Sequence, residues 1–279
     1  MTVPFENDTG NIVRKLARKS LKSEKRRNLM VVIAVALASC LICFSIVMAL
    51  STRQIEKNHV EDTYEAVYTK ITEEDVSSLK GLDDFSRVGE YYMLAVEPAK
   101  QGYNASYIYC DEETMYIARD QMKLLEGRLP QKEDEVVVSR YFLSNYGADA
   151  GIGEKVMLSS ESFHGEYTVT GILEGYKEKE VNGSSILLSK EALKGWSGYD
   201  PADYRAYVHF KNEQQMDETE LTARSREIAK EYQLEMPVMN LSYMKFYKQP
   251  VNVSMLALVA GIAVLVIIGG YVVIQSISV

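Results

Sequence analysis

The sequence has few cysteines and fewer basic than acidic residues. Only three cysteines occur among 279 residues, which excludes a disulfide-stapled scaffold. Cys40 and Cys43 lie inside an uncharged run, and Cys110 is alone in the polar middle of the chain, so no internal disulfide is expected there. Lys and Arg number 31 against 39 Asp and Glu, which gives a net charge of −8. This acidic balance argues against a nucleic-acid partner.

Motifs of catalysis and metal binding are also lacking. His59, His164 and His209 are far apart, and none lies at metal-ligand spacing from a cysteine or another histidine. The acidic runs 73–75 and 111–113 lack the spacing of a calcium loop. The sequence has no Gly-rich phosphate loop, serine nucleophile elbow or kinase signature. We therefore expect no catalytic, cofactor-binding or metal-binding residues, no cofactor, and a chain that is not an enzyme.

Two long uncharged runs are present instead. The first extends from Leu29 to Leu50, which at about 1.5 Å per residue is enough to cross a hydrocarbon core of about 30 Å. The second extends from Met255 to Ile274, shortly after Pro250. The sequence thus predicts transmembrane helices over 29–50 and 253–275. A cleaved signal peptide is the alternative for the first run, although its apolar core would be only about 7–15 residues long.

The distribution of charge predicts the orientation of the chain. Residues 1–28 carry eight basic and three acidic side chains, whereas residues 51–252 carry 23 basic and 36 acidic ones. Basic residues beside the first run place the N-terminus in the cytoplasm and residues 51–252 outside the membrane, as a multi-pass protein. Within residues 11–27, apolar residues recur at helical spacing among basic ones, which predicts an amphipathic helix on the membrane lipids. A disordered basic tail is the alternative.

The outer segment shows the pattern of a mixed α and β domain. The first predicted membrane helix continues as a stalk to about residue 62. At the start of the segment, strands are predicted at Tyr64–Ile71 and Arg87–Glu97, and the helix between them begins with a capping box formed by Thr72 and Asp75 and ends at Gly81. At the other end, strands are predicted at Tyr204–Phe210 and Val238–Leu241, with a helix over about 217–233 between them. Between them, about 102–198 is rich in glycine and short β runs. We predict an α/β domain over 63–252 with an inserted β-rich lobe at about 102–198.

Several stretches of this chain resemble one family of membrane proteins. They are, in order, Leu21–Leu29 before the first run, Leu125–Pro130, Asp134–Ser139, Gly153–Val156 and Tyr167–Ile172 in the β-rich lobe, and Gly269–Ile274 with Ile277–Val279 at the end. Together they are similar to the FtsX/MacB-type permeases of bacterial ABC transporters. Gly127 and Pro130 fit a tight turn that ends one element before the strand that starts at Val136, which makes them determinants of the fold rather than catalytic groups.

The resemblance implies an α+β fold: two transmembrane helices flanking a MacB-like core domain, which has a Porter-like α/β part and an inserted Sabre-like lobe. It also implies a separate cytoplasmic ABC ATPase as a partner, and a second permease copy or a homologous permease. Family members continue beyond their second span with a coupling segment and further spans. We therefore expect residues 276–279 to be a truncated cytoplasmic exit, and assign no residue to ATPase coupling.

The expected function is that of the N-terminal portion of a permease subunit. ATP hydrolysis by the separate ATPase would drive motion of the extracellular domain for export or cell-envelope signalling. An alternative from another class is a membrane-anchored extracellular sensor domain of a signalling receptor, because a helix, an outer domain and a second helix also occur in that order in receptors. A third is a surface adhesion or scaffold protein. The sequence does not identify the substrate or the extracellular partner.

Overall fold

A computed structural model describes residues 9–23, 25–60, 63–98, 104–118, 122–146, 150–159, 161–174 and 183–248, together with 261–264, 266–267 and 269–270. The chain divides into two compact units, one of Met1–Ile55 with Val251–Val279 and one of Glu56–Pro250. The predicted second span, 253–275, lies mostly outside the described residues. The described parts of it, 261–264, 266–267 and 269–270, are helical.

Two helices begin the chain. Helix α1 (Thr9–Ser23) covers most of the predicted amphipathic segment and exposes its apolar Ile12, Val13 and Leu16. Helix α2 (Lys25–Val60) contains the whole first uncharged run and continues without interruption through the predicted stalk. Its stretch Val35–Asn58 is long and apolar enough to cross a membrane and has no buried part. An unburied apolar surface of this length fits a helix whose surroundings are lipid.

The strands all belong to the second unit. Among the described residues they are β1 (Ala66–Ile71), β2 (Phe85–Pro98), β3 (Asn104–Cys110), β4 (Lys123–Gly127), β5 (Glu135–Ser139), β6 (Lys155–Ser159), β7 (His164–Glu174), β8 (Gly183–Leu188), β9 (Tyr204–Phe210) and β10 (Val238–Met239). The helices between them are α3 (Glu73–Lys80), α4 (Glu112–Ile117), α5 (Arg140–Tyr146), α6 (Lys190–Gly195) and α7 (Glu218–Glu231). After β10 come the short helix α8 (Leu241–Tyr243) and a π-helical turn, Met244–Lys248.

All of these strands form one mixed sheet. Its order is β10-β1-β9-β2-β3-β8-β5-β7-β4, with β6 also paired to β7. The long strand β2 makes the sheet continuous, because its first half pairs with β9 and its second half with β3. The predicted lobe at about 102–198 contributes β3 to β8 to this same sheet. The expected α+β fold is therefore present, but the described residues do not set a Sabre-like lobe apart from the rest.

The first part of the domain follows the predicted β-α-β pattern with one addition. Strand β9 lies between β1 and β2 and runs antiparallel to both, so β1 and β2 are parallel to each other but not adjacent. Helix α3 connects them and begins with the predicted capping box, in which Thr72 accepts from the backbone N–H of Asp75 and the Asp75 carboxylate accepts from that of Thr72. The helix ends at Gly81, as predicted.

Apolar side chains cover both faces of the sheet. On β9, Tyr204, Ala206 and Val208 belong to the larger buried cluster, whereas Tyr207 belongs to the smaller one. This alternation follows from the two-residue period of a strand. Helices α3 and α7 bury apolar side chains in the larger cluster, and α4 buries Ile117 in the smaller one. The central strands are therefore shielded from water on both sides.

Candidate functional site

The point where α2 enters the sheet domain is the first candidate site. Val60, the last residue of α2, is only 5% exposed and belongs to the larger buried cluster. Its carbonyl accepts hydrogen bonds from the backbone N–H of Thr63 at 3.3 Å and from the Thr63 hydroxyl at 2.9 Å. Thr63 and Glu65 are fully buried. We call this group, with His209 and Phe210 of β9, the helix–sheet joint.

Glu65 ties the joint to β9. One carboxylate oxygen, Oε1, lies 2.7 Å from Nδ1 of His209, and the other accepts from the backbone N–H of Phe210 at 2.7 Å. The imidazole also makes a hydrogen bond to the backbone of Thr63. The ring thus meets a carboxylate and a backbone acceptor, which suits the doubly protonated imidazolium.

Burial and the carboxylate act on His209 in opposite directions. Burial disfavours the charged ring, but the hydrogen bond and the negative charge of Glu65 outweigh it and raise the pKa of His209 above its ordinary 6.5. Burial also raises the pKa of Glu65 above its ordinary 4.5, against the hydrogen bonds from His209 and Phe210. The joint therefore contains a buried, hydrogen-bonded pair of titratable groups. A buried pair of this kind costs much free energy to break, because either partner alone would be left as an uncompensated charge.

A second set of contacts joins the end of the domain to the same place. The backbone N–H of Asn240 donates to the carbonyl of Glu65 at 2.8 Å, and its side-chain amide donates to the carbonyl of Tyr64 at 2.9 Å. Its side-chain oxygen accepts from the backbone N–H of Tyr243, which begins α8. The chain that arrives from α2 and the chain that leads on from β10 are therefore fixed to each other at residues 64 and 65.

The motif of Leu125–Pro130 with Asp134–Ser139 forms a closed loop between β4 and β5. Gly127 has φ +83°, and a Cβ there would lie 2.1 Å from the carbonyl oxygen of Thr170 on β7. The next residue, Arg128, holds the Glu135 carboxylate with two hydrogen bonds of 2.7 and 2.8 Å. That contact lowers the pKa of Glu135 to about 2. As predicted, these residues determine the fold of the loop.

A network of ion pairs connects α6 to α3 and β2. The Nζ atom of Lys190 lies 2.6 Å from carboxylate oxygens of both Glu73 and Glu90. Lys80 lies 3.0 Å from Asp111 and 3.6 Å from Glu90. The hydrogen bond from Lys190 lowers the pKa of Glu73 despite its partial burial. Since each of these groups has a partner of opposite charge, the network braces the sheet rather than presenting a reactive group.

An open cleft of about 390 Å³ lies at the other end of the sheet, between β4, β7 and α5. Arg140 and Glu126 line it and are paired at 2.6 Å, beside Leu143, Ile152 and Ile172. No general base or nucleophile is identified there. Across the residues that the structure describes, no group of three or more His, Cys, Asp and Glu side chains is placed to hold a metal ion. Cys110 is buried, with its sulfur 3.9 Å from that of Met122.

The sequence did not indicate the pairing of Glu65 with His209. The two residues are 144 positions apart, and neither belongs to a recognisable motif. Only the predicted strands around them placed both residues in the domain, and the antiparallel pairing of β1 with β9 then brings them together. The wide spacing of the histidines along the sequence argued against a metal site, but spacing gives no information about ion pairs.

The chain is similar to proteins of one family. Residues 29–226 match the family model described as the MacB-like periplasmic core domain. No curated protein matches the chain closely enough to count as a relative. The match covers the whole helix–sheet joint and both motif stretches of the β4–β5 loop, and it confirms the resemblance to MacB-type permeases.

Three solved structures are similar to part of the chain. The extracellular domain of the ABC-type transporter YknZ from Gram-positive bacteria is 14% identical, with 64% of this chain and 100% of that chain covered and a TM-score of 0.45. A domain of a putative permease from Porphyromonas gingivalis is 15% identical, with 71% and 97% covered and a TM-score of 0.44. The periplasmic region of MacB from Actinobacillus actinomycetemcomitans is 11% identical, with 67% and 92% covered and a TM-score of 0.44.

These TM-scores are too low to establish a shared fold by themselves. The family model, in contrast, matches well over half of the chain, including α2 from residue 29 onward and the sheet from β1 to β9. The chain therefore belongs to the family of proteins that carry the MacB-like periplasmic core domain.

Proposed function

We propose that the chain is the N-terminal portion of a permease subunit of an FtsX/MacB-type ABC transporter. In this proposal, ATP hydrolysis by a separate cytoplasmic ATPase moves the extracellular domain, for export or for cell-envelope signalling. A periplasmic domain joined to an N-terminal apolar helix is the arrangement of a membrane protein with a segment outside the cytoplasm. ATP hydrolysis is assigned to another subunit because the sequence has no phosphate-binding loop.

The observation that carries the proposal is the continuity of α2. The helix extends from Lys25 to Val60 without a Gly or Pro and ends inside the buried core of the sheet domain. At about 1.5 Å per residue, its 36 residues span about 54 Å. A helix without a break is stiff, and the helix–sheet joint fixes its last turn to β1 and β9. In this proposal, a displacement of the cytoplasmic end passes along α2 to the sheet.

The proposal also includes the predicted topology and partners. The N-terminus is cytoplasmic, the chain crosses the membrane twice, and a second permease copy or a homologous permease completes the transporter. The basic residues of 1–28 lie on the ATPase side and on the anionic inner leaflet.

Crosslinking tests this arrangement. A photoreactive residue is placed at Lys22 or Arg26, with Lys211 of the outer domain as the matched control, and the chain is co-expressed with its partner ATPase. We expect crosslinks to the ATPase from the first two positions and none from Lys211. An assembled complex without crosslinks from either basic position would contradict the proposal. A signalling domain encoded directly after Val279 would favour the sensor instead.

A further inference from the structure

The edge of the sheet at β10 exposes an unusual number of large apolar side chains. Met236 is 55% exposed, Val238 60% and Leu241 77%. They lie within six consecutive residues, on and beside a two-residue strand at the end of the sheet order. A folded domain in water usually covers or charges such an edge. We call Met236–Lys248 the edge segment.

The charge of the edge segment differs from that of the domain around it. Residues 51–235 carry 36 acidic and 21 basic side chains, whereas residues 236–254 carry two lysines, Lys245 and Lys248, and no acidic side chain. Phe246 and Tyr247 stand between the two lysines, and Tyr247 is 39% exposed. Exposed apolar side chains together with tyrosine and lysine are typical of a protein surface that meets the headgroups of a bilayer.

The structure holds the edge segment in place. Tyr243 and Met244 are buried in the larger cluster, and the Asn240 side chain caps α8. The Nζ atom of Lys248 donates to the carbonyl of Glu213. The segment thus has its own anchoring residues, and the exposed side chains on it have a fixed direction relative to the domain.

The chain itself ties the edge segment to both predicted spans. The first span is predicted to end at Leu50, α2 continues for ten more residues to Val60, and Asn240 is hydrogen-bonded to the carbonyl of Tyr64. On the other side, the second uncharged run starts at Met255, seven residues after Lys248. Seven residues span at most about 25 Å when fully extended.

We propose that the edge segment lies on the outer leaflet of the lipid bilayer, with Met236, Val238 and Leu241 in the headgroup region and Lys245 facing anionic lipid phosphates. This surface contact would fix the base of the domain on the membrane, beside the helix–sheet joint. The inference depends on the proposed function in one respect, since it requires the second uncharged run to cross the membrane.

Spin labelling of the full chain in lipid nanodiscs tests the contact. In a background with Cys40→Ala and Cys43→Ala, a label is attached at Leu241→Cys, and at Met157→Cys as the control. Met157 is also apolar and 53% exposed, but lies on β6. The label's collision rate with oxygen is divided by its collision rate with a water-soluble nickel chelate. We expect this ratio to be several-fold higher at position 241 than at position 157. Equal ratios at the two positions would overturn the proposal.

Charge reversal tests the lipid headgroup. In nanodiscs of phosphatidylglycerol and phosphatidylcholine in equal parts, Lys245→Glu is expected to lower the ratio at position 241 at least two-fold, and Lys230→Glu on α7 to leave it unchanged. In phosphatidylcholine alone, Lys245→Glu is expected to have little effect. An equal fall of the ratio at position 241 in Lys245→Glu and Lys230→Glu would contradict a local contact with anionic lipid.

Two further outcomes are distinguishable. If the label at position 241 shows dipolar broadening that disappears on dilution with unlabelled chain, a second copy covers the edge segment and the lipid proposal is wrong. A cysteine at Ser276 tests the second span separately. Its labelling by an impermeant reagent from outside would refute the proposed topology, whereas its protection with a water-exposed position 241 would refute this inference alone.

Discussion

Replacing His209 with glutamine removes the cation from the helix–sheet joint and leaves the carboxylate of Glu65 buried. Glu65 would keep its hydrogen bond from the backbone of Phe210 at 2.7 Å but would lose its charged partner. Removal of one member of a buried pair costs about 3–5 kcal/mol. Because the glutamine amide can still donate one hydrogen bond, we expect the free energy of unfolding to fall by about 3 kcal/mol at neutral pH.

The loss should depend on pH in a definite direction. The pKa of His209 is raised above 6.5 in the folded protein by its contact with Glu65. The stability that the pair contributes is therefore fully present below 6.5 and is lost as the pH rises through the raised pKa. The difference between the wild type and His209→Gln should be largest near pH 6 and shrink as the pH rises through the raised pKa.

The single tryptophan provides the assay. Trp196 directly follows α6 in the second unit and stacks on Phe163 at a centroid distance of 6.4 Å, so its fluorescence in urea reports unfolding of the sheet domain. His164→Gln is the control, because His164 is exposed on β7 and its loss should cost less than about 0.5 kcal/mol.

A double-mutant cycle isolates the ion pair. Glu65→Gln, His209→Gln and the double variant should give a coupling energy of about 2 kcal/mol, because the two residues are in direct contact. A coupling near zero, or a loss of stability in His209→Gln that does not shrink as the pH rises from 6, would refute the assignment of a charged pair at the joint.

The same fluorescence assay checks three other variants. Gly127→Ala should lower the free energy of unfolding by about 3 kcal/mol, because the added Cβ would meet the backbone of β7. Gly153 also has a positive φ, +86°, but has nothing within 4 Å of an added Cβ, so Gly153→Ala should cost only about 1 kcal/mol. Equal costs would contradict the close approach at Gly127. Glu135→Gln should lower the free energy of unfolding by about 2 kcal/mol at neutral pH. This difference from the wild type should disappear as the pH falls from 4.5 towards about 2, where the folded carboxyl of the wild type is protonated. A difference that persists there would argue against the charged contact with Arg128. Thr63→Val should cost about 1 kcal/mol through the hydrogen bond to Val60, and no loss would show that the backbone bond suffices.

Local elements of the fold could be predicted from the sequence because their signals are short in range. The capping box of Thr72 and Asp75 and the strand Tyr204–Phe210 have the predicted bounds. Each depends on a residue pattern within a few positions. Strand β4 (Lys123–Gly127) was not predicted, since its five residues have little alternation.

Pairing between distant strands could not be predicted in this way. No local pattern specifies that β9 lies between β1 and β2, or that β3 pairs with β8 in parallel, because register depends on which surfaces remain to be buried after the elements have formed. The inserted lobe at about 102–198 stays a prediction, since the strand order of the described residues places β3 to β8 in the same sheet without testing it. The helix–sheet joint depends on that pairing, so Glu65 and His209 were not identified as partners beforehand.

The transmission of motion by α2 is the central claim, and hydrogen exchange tests it most directly. The chain is assembled with its partner ATPase in lipid nanodiscs, and exchange of the backbone amides of β1 and β9 is compared with and without ATP. Ser51→Pro breaks α2 between the cytoplasmic segment and the joint, and Ser51→Ala is the matched control. We predict an ATP-dependent change in β1 and β9 for the wild type and Ser51→Ala that is absent in Ser51→Pro. No change in the wild type, or the full change in Ser51→Pro, would contradict transmission through this helix.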